Sequence, residues 1–595
     1  MDRLSPVLEY SERLRARESR VSQHNRTHIR LGNIRLLLAI CVAVLGWLSL
    51  ARHSISAYWI AAPVVVFVLV ASYHTKVLQQ MSYAKRAVTF YRNAIARIED
   101  RWAGNGETGE RFNDPHHVYA SDLDLFGKGS LFELLSAART RIGEEILAGW
   151  LLAPSPLEVI EKRHEAVAEL RGLNDFREDL AVAGEDARVG LRPNELTQWA
   201  ELPTQLPFAW VRVATYVLAA LAVAGVFFWV LKDNYLPFLV VVVIEAAIFY
   251  FLRAKVDEIL HRTEHAFEDF GLLSAILELI ESQQFNAALL KSLQQEFGKG
   301  ASSAFRAVEK LKKITDRIYS RHNLFLRIID IPLMYSVQLA FAADGWRSRH
   351  GSSIRSWLLA VGDMEALGSL GTYSYEHPND PFPVFVSDMA SFAAESLGHP
   401  LIPSAKCVLN NVAAGELAPV LLISGSNMSG KSTLLRSVGI NAVLAMAGAP
   451  VRAKQLRMTP LQVGASIRIS DSLQEGSSHF YAEITRLRQI VDLTGGQFPV
   501  LFLFDEVLQG TNSHDRRIGT EGILRGFLNR GAIGLVSTHD LALTEVSGRK
   551  PGDIKNMHFQ DELKDGQMRF DYVLRNGIVA KSNGLELMRS IGLDV

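Results

Sequence analysis

The sequence predicts an α/β C-terminal domain of the P-loop type, built on a parallel sheet, joined to an all-α core that carries two apolar helical hairpins. Three observations lead there. Val420–Ser424 is an apolar run that enters a glycine-rich turn, and Leu434, Leu435, Val438, Val443 and Leu444 then recur at helical spacing. A second apolar run, Pro499–Phe504, continues into Asp505 and Glu506, as a strand buried on both faces and ending at a ligand edge would. Four charge-poor stretches upstream arrive as two tight pairs.

The stretch VLLISGSNMSGKST, Val420–Thr433, is read as strand, loop and helix. Gly425, Gly430, Lys431 and Ser432 fit G-x-x-x-x-G-K-[ST], the loop whose backbone N–H groups wrap phosphate oxygens at a helix N-terminus. Ser426, Asn427, Met428, Ser429 and Thr433 complete that loop, and ATP with Mg²⁺ is the expected ligand. Lys431 reaches the β- and γ-phosphates, and the Ser432 hydroxyl can ligate Mg²⁺. Asp505 is the second expected Mg²⁺ ligand, and Glu506 the candidate base for the attacking water. A third run, Ile533–Thr538, ends at His539, which is placed to sense the γ-phosphate.

At 595 residues the chain should hold two to four domains. Its 63 basic and 63 acidic residues balance, so charge alone names no partner. Two cysteines, Cys41 and Cys407, exclude a disulfide framework and point to a cytosolic or membrane setting. The first thirty-odd residues are polar and Arg-rich, so no cleavable signal peptide is expected.

Leu36–Ala51 and Ser54–Tyr73 contain no charged residue, and Arg52 and His53 alone separate them. Val213–Leu231 is also free of charge, and Asn234–Leu252 carries one ionisable residue, Glu245. A bilayer core of about 30 Å needs roughly 17 to 25 helical residues, so both pairs read as transmembrane hairpins. The N-terminal arginines, then Lys76, Lys85 and Arg86, then Arg253 and Lys255, lie outside the hairpins. This bias predicts a multi-pass membrane protein of four spans with cytoplasmic termini. Glu245 near mid-membrane is either functional or a protonated, helix-contacting side chain.

Between the hairpins, Leu123–Leu173 is helical by periodicity and is broken by Pro154 and Pro156. Residues 254–345 are helical again, and Phe305–Arg321 gathers Arg306, Lys310, Lys312, Lys313, Arg317 and Arg321. That face reads first as a solvated basic surface, with nucleic acid or anionic lipid as the alternative. The Pro, Asp and Asn of His377–Pro383 mark a boundary.

Several of these motifs resemble the MutS family. They are DLF with SLFELL and WLLAP (123–154), DMEALGSL (363–370), HPLIP from His399, GSNMSGKST, DSLQEGSSHFYAEI (471–484), GTNSHDR (510–516), STHD (537–540) and FDYVLRNGIVAKSNGLELMRSIGL (570–593). The resemblance covers residues 119–175 and 360–595. It implies an ABC/MutS-type ATPase that works as a homodimer, with Ser478 reaching the partner's γ-phosphate; Ser477 or Ser478 could equally serve as a plain helix N-cap. Ser426 stands where the family usually has proline, and Cys407 where it often has an aromatic against adenine. The 118 residues before the core are too few for the family's mismatch-reading and connector domains, and no F-x-E wedge motif occurs there.

The chain thus divides into a basic N-terminal segment (1–35), hairpin 1 (36–73), a helical linker (74–118), the first part of the helical core (119–209), hairpin 2 (210–252), a core and lever region (253–397) and the ATPase domain (398–595). Two functions compete: a MutS-like ATPase anchored in the lipid bilayer with DNA-binding, mismatch-repair-type ancestry, and a membrane-coupled mechanical ATPase that does not bind DNA. An ABC transporter is weaker, because no LSGGQ-like signature lies between the phosphate loop and the Asp–Glu pair.

Overall fold

The computed structural model describes residues 5–50, 58–190, 192–204, 209–298, 303–321, 330–387, 389–415, 418–468, 479–540, 552–564 and 567–578, with 52, 56, 206, 543, 544 and 550. The chain forms two units, Met1–Glu107 with Tyr375–Pro378, and Thr108–Ser374 with Asn379–Val595.

The first unit is an antiparallel pair of long helices, α1 (Pro6–Leu50) and α2 (Tyr58–Ile98). Their polar halves interlock: Tyr10 packs on Tyr91 with ring centroids 5.5 Å apart, and Arg92 pairs with Glu18 at 2.6 Å. Arg97 makes a bidentate bond to Glu376 at 2.7 and 2.6 Å. Closer to the apolar halves, Arg35 donates to His74 Nδ1 (3.0 Å) and His74 Nε2 meets His28 Nδ1 (2.7 Å). Each helix runs unbroken from charged to apolar sequence, so the boundaries expected at residues 35 and 73 fall inside continuous helices.

In the second unit, the helical core begins with α3 (Leu131–Leu135), α4 (Arg141–Leu152) and α5 (Leu157–Arg171), the last two separated by Pro154 and Pro156 as the sequence predicts. Ser130 caps α3: its Oγ accepts from Glu133 N–H, and the Glu133 carboxylate accepts from Gly129 N–H, one residue before the cap, at 2.7 Å. Helices α6 (Asn174–Gly190) and α7 (Pro193–Glu201) lead to the second hairpin, α8 (Ala209–Lys232) and α9 (Leu236–Ser282). At Gly225 a Cβ would come within 2.9 Å of the Phe238 backbone, so the two helices touch there. Helices α10 (Ala288–Glu296), α11 (Ala304–Ser320) and α12 (Tyr335–Glu376) follow. On α12, buried Glu365 caps the start of α4 by accepting from the Arg139 and Thr140 amides at 3.1 and 3.2 Å.

Among the described residues, four helices are long and apolar enough to cross a membrane: Pro6–Ser49, Tyr58–Ile98, Trp210–Lys232 and Leu236–Glu264.

Two sheets build the C-terminal domain. Strands β1 (Val384–Phe385), β2 (Phe392–Leu397), β3 (Asn410–Ala414) and β5 (Gln455–Met458) form a small sheet in the order β1-β5-β2-β3. Its first two strands occupy the end of the stretch expected to be helical, 253–397. The larger sheet has the order β10-β9-β4-β8-β7-β6 and contains β4 (Val420–Ser424), β6 (Gln462–Ser466), β7 (Val500–Asp505), β8 (Ile533–Thr538), β9 (Ile554–Lys564) and β10 (Gln567–Asn576). Strands β9, β4, β8, β7 and β6 are parallel, and β10 is an antiparallel edge. Helices α13 (Lys431–Ala447), α14 (His479–Leu493) and α15 (Ser513–Asn529) belong to the same domain.

The sheet packs through an apolar cluster that includes Val420, Leu422, Phe502, Phe504, Phe527 and Val536. The segment before α3 docks on the end of β6: Val118 O accepts from Ala465 N–H, and buried Asp122 accepts from the Ile467 and Arg468 amides at 2.8 and 2.6 Å.

Candidate functional site

The register of the parallel strands brings the chemistry together. Ser424 pairs with Thr538, and Asp505 with Ser537, so the carboxyl ends of β4, β8 and β7 align. Every residue of β4 and β8 is buried, which fixes these ends against slippage. The phosphate loop leaves β4 there and turns into α13.

Two glycines make that loop. Gly430 is the N-cap of α13 with φ 103°, and no side chain caps the helix. The first-turn amides are left for an anion. A Cβ at Gly430 would also lie 3.1 Å from the Tyr572 ring. At Gly425, φ 157°, a Cβ would lie 2.8 Å from Ser429 Oγ. Met428 takes a left-handed turn, φ 68°, and is 83% exposed.

Lys431 is buried, and its Nζ donates to the carbonyls of Gly425 and Ser426 at 2.8 Å each, with Glu506 Oε1 at 3.9 Å. Burial pushes its pKa down, and Glu506 and Asp505 pull the other way. The ammonium is thus folded back on its own loop, where a phosphate would compete with two neutral carbonyls.

Asp505 Oδ1 accepts a short hydrogen bond from the Ser537 hydroxyl. Glu506 has left-handed backbone, φ 53°, and its N–H donates to Ser537 O at 3.1 Å. Its carboxylate lies 3.3 Å from His539 Nδ1. Lys431, Asp505, Glu506 and His539, expected from sequence, are therefore neighbours. Ser478 falls outside the described residues.

Lys431, Asp505 and Glu506 open onto a cavity of about 730 Å³, within the size range of cofactor sites. Asn427, Met428, Gly430, Lys431, Ser432 and Thr433 line one side, and Asp505 and Glu506 the floor. His399, Ile402, Lys406, Cys407, Val408, Phe559 and Tyr572 line the rest. Asp505 and the Ser432 hydroxyl supply oxygen donors of the kind Mg²⁺ takes.

Sequence reasoning missed Ser537, Phe559 and Tyr572. Ser537 sits in the STHD motif, two residues before His539. Tyr572 has φ 57° at an irregularity of β10 between Phe570 and Leu574. Asn410 holds it there, donating to Tyr572 O (3.0 Å) and accepting from Leu574 N–H (2.7 Å). No local pattern announces such a bulge, because its partner lies on β3.

Residues 421–594 match the family MutS domain V. The chain is 35% identical over 196 residues to the endonuclease MutS2 of Thermus thermophilus, covering 33% of this chain and 25% of that protein. It is 34% identical over 187 residues to the DNA mismatch repair protein MutS 2 of Haloarcula marismortui, covering 31% and 19%. It is 32% identical over 235 residues to the DNA mismatch repair protein MutS of Bacillus velezensis, covering 38% and 26%. The chain therefore spans about a quarter or less of the length of these relatives. The family match falls within the C-terminal domain described above.

Proposed function

We propose that this protein is a MutS-like ATPase anchored in the lipid bilayer by two helical hairpins, hydrolysing ATP·Mg²⁺ as a homodimer, with DNA as a partner. One observation carries the enzymatic part: Lys431, Asp505, Glu506 and His539 converge at the aligned strand ends beside an uncapped helix N-terminus. The names of the relatives, mismatch repair proteins and an endonuclease, support the DNA part. The four apolar helices support the anchoring.

In this reading the amides at the start of α13 bind the β- and γ-phosphates, and Lys431 exchanges its carbonyl partners for phosphate oxygens. Ser432 and Asp505 would hold Mg²⁺, which would supply positive charge against the phosphates. Ser537 orients the Asp505 carboxylate by its hydrogen bond. Glu506 takes a proton from the attacking water, and His539 Nδ1 orients Glu506. Tyr572 and Phe559 supply the aromatic surface for the base that Cys407 cannot, and Ser478 reaches the partner subunit's nucleotide.

Lys431→Ala should abolish ATP binding, whereas Glu506→Gln should bind ATP and lose turnover by at least about 10²-fold. Radiolabelled-nucleotide binding and phosphate release measure the two. Wild-type hydrolysis in Glu506→Gln removes the base assignment. In the same preparation, duplex DNA titrated across salt should give a log–log slope near −5 if about six phosphates are contacted. Absence of binding at low salt favours the mechanical reading without DNA.

A further inference from the structure

One buried carboxylate beside the catalytic turn has no part in the chemistry above. Glu483 lies in the second turn of α14, 2% exposed, and its Oε1 accepts from Leu508 N–H at 2.5 Å. Leu508 is two residues beyond Glu506, and both carry left-handed backbone, φ 58° and 53°. Such backbone is unfavourable by roughly 1–2 kcal/mol for a residue with a Cβ, and it persists where surrounding contacts over-determine it.

The contacts that do so can be named. On the strand side, Glu506 N–H donates to Ser537 O at 3.1 Å. On the far side, Arg516 of α15 donates through Nε to Leu508 O (3.2 Å) and through its terminal nitrogen to Gln509 O (3.3 Å). From α14, Glu483 holds Leu508 N–H, while Phe480 closes against Gly510 so tightly that a Cβ there would lie 2.8 Å from it. The turn 506–510 is thus gripped from three sides. Glu483 supplies a carboxylate where one neutral main-chain amide needs an acceptor.

We propose that Glu483 is a positioning residue for hydrolysis: its side-chain oxygen fixes the left-handed turn at Leu508, and through it the direction in which Glu506 presents its carboxylate to water. This rests on Glu506 as the base. Misplacing a catalytic group by about 1 Å can lower the rate about 10²-fold without touching substrate affinity.

The test is a set of full-length variants assayed for kcat, for ATP affinity by direct binding, and for thermal stability. Glu483→Gln keeps an oxygen at the same reach, and its kcat should stay within about threefold of wild type. Glu483→Asp keeps the charge but withdraws the oxygen by one methylene, and its kcat should fall at least about tenfold at unchanged ATP affinity. Glu483→Ala should fall at least as far; if it fails to fold, the Gln and Asp pair still decides. A role through charge gives the reverse order, Asp active and Gln impaired, and overturns the inference. So does equal activity of Gln and Asp, or loss of ATP affinity in step with kcat. Glu506→Gln is run beside them. Wild-type hydrolysis there overturns the base assignment itself, whereas an inactive Glu506→Gln with an active Glu483→Asp overturns only the role given to Glu483.

Discussion

At the level of single residues, the cavity of the candidate site is bordered by a histidine that burial keeps neutral. His399 is 6% exposed, and its Nδ1 accepts from Leu401 N–H at 3.2 Å, so the ring proton sits on Nε2. Burial, with Arg436 nearby, pushes its pKa down to about 4, and Asp124 offsets a little of that. The unfolded chain binds the proton near pH 6.5. Between pH 6.5 and 4 the unfolded state therefore holds more protons, and stability falls as pH falls through that window and is complete above it. The contribution lost between pH 7 and pH 5 is about 2 kcal/mol. His399→Asn keeps an acceptor for Leu401 without titrating. Urea unfolding of the variant should lose about 2 kcal/mol less than wild type between pH 7 and pH 5, and parallel pH curves would contradict this account. The motif HPLIP shows the histidine in the sequence, but not that its surroundings are dry, because the cation facing it comes from α13.

Among the secondary-structure elements, α13 carries the tightest constraint. It is buried almost all round, and its Gly439 faces both the helical core and the sheet: a Cβ would lie 2.6 Å from Leu123 and 2.7 Å from Leu503. Gly439→Ala should gain up to about 1 kcal/mol of helix propensity and lose about 1–3 kcal/mol to overpacking. The net expectation is a lower melting temperature with ATP affinity intact below it. A higher melting temperature would mean the two leucines move aside freely. The same element shows what a sequence reveals. Strands β4, β7 and β8, like α13, follow from unbroken apolar runs and a loop motif, and each lies within a residue or so of its expected bounds. Strands β1, β2, β3 and β5 were not legible, because short strands with alternating or mixed residues give no run, and β2 is specified by pairing with β3 and β5. Helix α11 illustrates a third case. Arg306, Lys310, Lys313 and Arg317 recur along one exposed stripe opposite buried Leu311, Thr315 and Ile318, and Lys313 pairs with Glu309 at 2.9 Å. That is how a solvated face of a packed helix looks.

For the molecule as a whole, the question is where its apolar surface goes. The most apolar windows of the four long helices are only 6, 11, 22 and 6% buried within the protein. Trp47, Leu69, Val213, Leu231, Val243 and Phe251 are all exposed. A soluble monomer seldom leaves more than a few hundred Å² of contiguous apolar surface in water. Trp210–Lys232 has 23 residues, and at about 1.5 Å each it reaches about 34 Å, enough for a hydrocarbon core of about 30 Å. Within α9, Glu245 is 0% exposed, with neither carboxylate oxygen hydrogen-bonded among the described residues. In the bilayer reading, an isolated ionised carboxylate at that position costs several kcal/mol. Beyond the apolar part α9 continues unbroken to Ser282, where Glu281 accepts from Phe305 N–H at the start of α11 at 2.8 Å. The bilayer reading predicts that the full-length protein sediments with membranes after lysis, resists alkaline carbonate extraction and enters solution only with detergent. Recovery of an active ATPase in the carbonate supernatant would require these helices to be covered by protein instead. It would leave the candidate site described above unchanged and remove the anchor from the proposed function.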